Sequence, residues 1–283
     1  KVPLRQVHRI VDAGLLGGEA DAVRESVDEL VRASRRDWDS LETSRGYALD
    51  ELVAVSRIEG NARIAVVSAR ALSAQRELLS QCSELEKAVD KAFASAYGIG
   101  AGENTGLAPA PPSVRVGSNG ELAANLVSYA VGCMFGRYSL DVPGLILADQ
   151  GVTLPDYLAK VPSPSFMPDA DNVIPIVDGD WFDDDIVDRF RQFLRAAFGE
   201  QHFEENLQFV TKSLGIKSLR DYFVRSFYRD HVQRYKKRPI YWLFSSPRGS
   251  FNALVYMHRY TPSTVSTVLT YLREYVTKLE SAL

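Results

Sequence analysis

The residues of this sequence best suited to chemistry are its cations. Between positions 212 and 259 stand eleven lysines and arginines against two aspartates. A helix opened by Ser218 and running to about Lys236 would project Arg225, Arg229 and Lys236 within about 40° of one another at ~100° per residue. Phe223, Phe227, Tyr228 and Tyr235 would take another side of it. The chain then continues through Lys237 and Arg238, and Arg248 and Arg259 follow. Guanidinium and ammonium groups at this density, with aromatic residues between them, are the groups that contact phosphate oxygens. The same pattern also describes an amphipathic helix packed beside an acidic segment of its own molecule. Such a segment exists: residues 169–188 hold eight aspartates and no lysine or arginine. There, Asp183, Asp184 and Asp185 could ligate a hard cation or form a solvated helix start favoured by the N-terminal dipole.

Other chemistries leave no trace. There is no Gly-rich dinucleotide fingerprint, no phosphate-binding GxxxxGK[ST] loop, no HExxH and no CxxC. His8, His202, His231 and His258 form no metal-ligand spacing, and no GxSxG elbow occurs. Pro168-Asp169 opens like a nuclease carboxylate motif, but no Asp/Glu-x-Lys follows it. His258, after an apolar strand, and His231, among polar residues of the basic helix, read as structural rather than catalytic. Cys133, inside an apolar segment, reads as a buried small hydrophobe.

The elements that must position the cations follow from periodicity and punctuation. Helix spacing runs from Glu19 to Trp38 and again from about Ala62 to Tyr97, where Gly98 offers a left-handed cap. Residues 101–120 are dense in Gly and Pro and read as a linker between a helical connector, 1–100, and an α+β region, 121–283. In that region an apolar helix follows Ser118-Asn119-Gly120, LPDYLAK forms a short one, and VIPIV (173–177) is a strand. DIVDRFRQFLRAAFG and HFEENLQFVTKSLG each read as a helix closed by Gly. Residues 239–258 form a β-hairpin, buried on both sides, around Ser246-Pro247-Arg248-Gly249, with Arg248 at its tip. Thr261 caps a last helix with Pro262 in its first turn and Val265, Val268, Leu269, Leu272, Val276 and Leu279 as its core stripe. The fold class is α+β, predominantly helical.

Composition bounds the rest. The 283 residues are 46% hydrophobic, with 33 Lys+Arg against 36 Asp+Glu, a net charge of -3. These figures exclude a disordered, collagen-like or disulfide-framework chain, and no apolar run approaches the ~20 residues of a membrane span. Two cysteines, Cys82 and Cys133, suit a reducing, cytoplasmic compartment. The sequence starts at Lys1 and stops at Leu283 within a helical pattern, so an excised region of a longer protein is expected.

Four strings carry a resemblance: RDWDSLETS (36–44), LVSYAVGCMFGRYSLD (126–141), DNVIPIVDGDWFDDDIV (171–187) and FYRDHVQRYKKRPIYWLFSSPRGSFNALVYMHRY (227–260). In order and over nearly the whole chain, they resemble the PglX family, the adenine-specific DNA methyltransferases of type 1 BREX phage-defence systems. The resemblance implies an enzyme that moves a methyl group from S-adenosylmethionine to N6 of adenine in double-stranded DNA, working beside other BREX proteins. The family's Asn/Asp-Pro-Pro-Tyr and cofactor motifs do not occur here; the one Pro-Pro, Pro111-Pro112, is followed by Ser113. The resemblance therefore assigns no catalytic, cofactor-binding or metal residue. A base-modifying enzyme must grip the DNA that flanks its target, so Arg225, Arg229, Lys236, Lys237, Arg238 and Arg248 are the expected DNA contacts. The alternative is a docking or bracing module for BREX partner proteins.

Overall fold

The computed structural model describes residues 14, 16–59, 62–98 and 112–282, without the side chains of residues 58 and 59. His8, most of the proposed linker and the double proline's first member lie outside the described residues. In chain order the helices and strands are α1 (Ala20–Asp39), α2 (Glu51–Glu59), α3 (Ile64–Ala96), α4 (Asn119–Met134), α5 (Leu154–Lys160), β1 (Val173–Val177), α6 (Ile186–Phe198), α7 (Phe203–Ser213), α8 (Leu219–Tyr222), α9 (Tyr228–Arg234), β2 (Tyr241–Ser245), β3 (Phe251–Tyr256) and α10 (Thr264–Ser281). One π-helical turn, Phe223–Phe227, joins α8 to α9. The chain is a helical α+β protein with a small antiparallel sheet.

The structure divides into two units: one up to Leu41 and from Arg70 to Gly117, the other from Glu42 to Ala69 and from Ser118 onward. In the first, α1 and α3 pack in opposite directions. Val23 and Val27 meet Ala92 and Phe93, while Ala33 and Leu30 meet Cys82 and Leu78. Small and medium side chains along α3 allow this approach. The segment before α4 is tied to the pair by polar contacts: Arg115 Nε to Asp37 at 3.2 Å, and the Gly117 N–H to Gln75 at 2.8 Å.

In the second unit α4 is apolar all round and buried from Leu122 to Met134 except at Ala124 and Asn125. Its start is a reciprocal capping box, with Ser118 and Glu121 satisfying each other's backbone N–H groups. Gly132 is required there, because a Cβ would overlap the ring of Tyr138. Tyr129 and Tyr138 stack at 5.2 Å beside Tyr47 and Phe193. The strand order is β1-β3-β2, with Val173 opposite Val255 and Tyr241 opposite Tyr256. One face of the sheet (Val173, Val177, Phe251, Val255) packs on Val268 and Tyr275 of α10. On the other face Tyr241 and Tyr256 meet Phe135. Pro175 lies on an edge strand, where its missing N–H costs no ladder bond.

Four expectations need revision. Only β3 and β1 are buried throughout; β2 is a sheet edge, and Trp242 on it is 49% exposed. The basic helix ends at Arg234, not Lys236, and the π turn resets its angular spacing, so the single stripe of Arg225, Arg229 and Lys236 does not carry through. On α10 the face toward the sheet is Val268, Tyr271, Leu272, Tyr275 and Leu279, whereas Val265, Leu269 and Val276 are exposed. The helix begins at Thr264 with Thr261 and Thr264 hydrogen-bonded across the turn at 2.9 Å, two residues later than Pro262 suggests.

Candidate nucleic-acid interface

The cations separate into two sets once their partners are known. Arg220, Arg234 and Arg259 are internal. Arg220 donates to the buried Asp185, to Asp180 and to the Val177 carbonyl. Arg234 donates to Asn125 at 2.7 Å and faces the buried Glu42 at 3.9 Å. Arg259, 5% exposed, serves the carbonyls of Phe135, Asp169 and Ala170. Part of the acidic run is consumed in the same way. Asp185 caps α6 through the Val187 and Asp188 N–H groups, Asp169 accepts from Val173, and Asp184 accepts from the Tyr271 hydroxyl. Burial pushes the Asp185 carboxyl up, against the pull of its backbone and Arg220 hydrogen bonds. Asp185 is thus neither a cation ligand nor solvated, and no cluster of three or more ligating side chains occurs among the described residues.

The second set faces outward. Arg225 and Arg229 have side chains 75% and 68% exposed, each near one acid, Asp221 at 3.2 Å and Asp230 at 3.7 Å. Exposed pairs of this kind hold by ~0–1 kcal/mol and exchange readily for another anion. Lys236, Lys237, Arg238 and Arg248 are exposed and have no ion pair among the described residues. Lys236 and Lys237 both have positive φ, 51° and 65°, closing the helix as Lys237 N–H reaches the Val232 carbonyl at 2.8 Å. Arg248 stands at the hairpin tip, in a turn closed by the Gly249 N–H on Ser246 and braced by Asn252 on the Gly249 carbonyl.

His231 holds the basic turn in place. Its Nε2 accepts the N–H groups of Ile240 and Tyr241, at 3.1 and 3.3 Å, so α9 and the start of β2 are fixed across Lys236–Arg238. Burial, with Arg234 and Arg137 nearby, pushes the imidazole down to about 3, so it is neutral. From the other side Tyr235 donates to Glu42 at 2.8 Å, and Ser128 of α4 donates to the same carboxylate. The sequence shows these cations but not an aromatic cleft of about 250 Å³, lined by Tyr228, Trp242, Leu243 and Phe244. A wider groove, about 800 Å³, lies along α10 and is lined by Asp171, Asp183, Asp184 and Glu274, the wrong sign for phosphate.

Two curated proteins align with this chain. An adenine-specific methyltransferase BrxX of Escherichia coli O9:H4 (strain HS) is 33% identical over 278 residues, covering 88% of this chain. An adenine-specific methyltransferase PglX of Lacticaseibacillus casei (strain Zhang) is 32% identical over 278 residues, covering 94%. The chain is a relative of the BrxX and PglX adenine-specific methyltransferases. It spans 22% of the length of each. No family model matches it.

Among the described residues the sheet is antiparallel, and the glycine that follows β1, Gly179, is closed by its own neighbour: a Cβ there would meet the Trp181 ring at 2.7 Å. No helix among the described residues is long and apolar enough to cross a membrane.

Proposed function

We propose that this chain is a non-catalytic region of an adenine-specific (N6) DNA methyltransferase of a BREX phage-defence system, and that it grips double-stranded DNA beside the target base. In this reading S-adenosylmethionine is bound elsewhere in the parent enzyme, which works in the cytoplasm. The carrying observation is the exposure of charge: Asp169 and Asp185 of the acidic run are buried in internal caps and ion pairs, while Lys236, Lys237, Arg238 and Arg248 stand exposed on a turn and a hairpin tip. Phosphate contacts of this type position a duplex without reading its sequence. Each phosphate neutralised contributes about 0.9 to the salt slope. Lys237→Glu with Arg238→Glu in the full-length enzyme should weaken DNA binding and flatten log Kd against log salt by about two units. Unchanged affinity and slope would sink this reading.

One observation favours a second reading, a docking or bracing module for BREX partner proteins. Val265, Leu269 and Val276, at 49%, 41% and 43% exposure, line the outer face of α10. A full-length enzyme that holds a partner BREX protein, and releases it when these three become lysine, would support that role.

A further inference from the structure

The aromatic cleft offers a different kind of contact from the cations. Trp242 leaves half of its surface in water on an edge strand, while its neighbours Leu243 and Phe244 are partly buried. Tyr228 closes the cleft from the start of α9. The volume of about 250 Å³ suits one planar ring system and falls below the ~300–1,000 Å³ of drug-sized pockets. Because β2 is the sheet edge, it has no strand on its outer side among the described residues; His231 holds the Tyr241 N–H there, and Trp242, Leu243 and Phe244 farther along line the cleft. Cations surround it in sequence: Arg225 lies three residues before Tyr228, Arg229 directly after it, and Arg238 four residues before Trp242.

We propose that this cleft receives one unstacked nucleobase of DNA, stacked on the Trp242 indole, while the neighbouring cations hold the adjoining phosphates. The inference rests on the DNA-contact reading above and adds a binding site to it. Three features point to a base. An aromatic face stacks on any base, the open strand edge at Leu243 can offer backbone groups to a base edge, and the cations close by in sequence suit a polyanion. An extended peptide could also pair with an open strand edge, but it would gain nothing from the flanking lysines and arginines unless it were acidic.

The test uses the full-length protein and 2-aminopurine, whose fluorescence is quenched on stacking, placed in a single strand, in a one-base bulge of a duplex, and in a fully paired duplex. Quenching is expected with the single strand, the bulge or both, which also tells whether the base comes from an open strand or from a duplex. It is not expected with the paired probe. Trp242→Ala should lose the quenching and bind the unpaired probes about five- to 150-fold more weakly, with paired-duplex affinity unchanged. Trp242→Phe should keep most of both signals. Circular dichroism and melting should match wild type, since the side chain is half exposed. Wild-type protein that binds the paired duplex without quenching either unpaired probe overturns the inference alone. So does a Trp242→Ala variant with wild-type affinity for every probe. Wild-type protein that binds none of the probes overturns the DNA-contact reading beneath it.

Discussion

Removing the guanidinium of Arg220 should be among the most damaging single changes in this protein that leave the core apolar groups intact. Asp185 is 0% exposed and its carboxylate has two sources of support: the Val187 and Asp188 N–H groups at 2.9 and 3.0 Å, and Arg220. Arg220 also satisfies the Val177 carbonyl at the end of β1, at 3.0 Å. Breaking a buried pair by deleting one member costs ~3–5 kcal/mol, because the remaining charge stays buried. The two backbone bonds and the α6 dipole soften this, and Arg220 is itself 16% exposed, so the low end, about 3 kcal/mol, is expected for Arg220→Ala. Asp185→Asn keeps an N-cap oxygen and leaves Arg220 paired to Asp180, so its loss should be smaller, about 1 kcal/mol. Combined with Arg220→Met, it should show at least ~1 kcal/mol of favourable coupling. The pH dependence has a fixed sign. Burial already raises the Asp185 carboxyl, and loss of Arg220 raises it further. A raised carboxyl contributes stability at low pH that is lost as pH rises through its folded value. The deficit of Arg220→Ala should therefore be smaller at acid pH than at pH 7. Urea denaturation of wild type and variants at both pH values measures all of this. A deficit below ~1 kcal/mol, or one independent of pH, would refute the account of Asp185 as a charge sustained by Arg220.

Two further outcomes follow from the structure. His231 is neutral with its folded value near 3, against ~6.5 unfolded, so the wild type should lose about 1.4 kcal/mol per pH unit below 6.5 through this one group. His231→Phe should cost ~1–3 kcal/mol at pH 7 by orphaning the Ile240 and Tyr241 N–H groups. Its gap to wild type in urea melts should then narrow by up to about 3 kcal/mol at pH 4.5, and a constant gap would contradict the assignment. On α10, Val268→Ala should destabilise by about 1–2 kcal/mol and Val265→Ala by under ~0.5 kcal/mol; equal losses in thermal melts would put the buried face elsewhere.

What the sequence reveals depends on how local the deciding interaction is. The start of α4 is legible because Ser118 and Glu121 satisfy each other within four residues. The closing glycines of α6 and α7, Gly199 and Gly215, announce their left-handed conformation in the same local way. The hairpin is legible from its turn. The exposed side of that hairpin is not, because β2 becomes an edge only when β1, more than sixty residues earlier, pairs with β3. The face of α10 is misjudged for a related reason. Counting Val and Leu favours one stripe, but the sheet selects the tyrosines Tyr271 and Tyr275, which pack on Phe182 and Phe251. The candidate cations are all visible in the sequence. Which of them are already committed is not, since Arg220, Arg234 and Arg259 find their partners 35 to 192 positions away or in backbone carbonyls of other segments.

The larger unit is stitched from two stretches of chain, and this shapes how it can be made. Ile64 N–H reaches Asn206 at 2.7 Å, Ser56 reaches the Ala197 carbonyl at 3.2 Å, and Ser68 reaches Asn119 at 2.6 Å. Residues 42–69 must therefore wait, during synthesis, for partners that emerge only after the excursion through 70–117. Closing a loop of that length costs roughly 3 kcal/mol in chain entropy, repaid only once α4, α6 and α7 exist. Such non-local assembly is slow compared with a helical bundle. In the meantime α1 and the later part of α3 have both emerged and can pair. The order of events on the ribosome is thus written into the path of the chain, and a cut between residues 69 and 118 would leave the larger unit without its first strip of core.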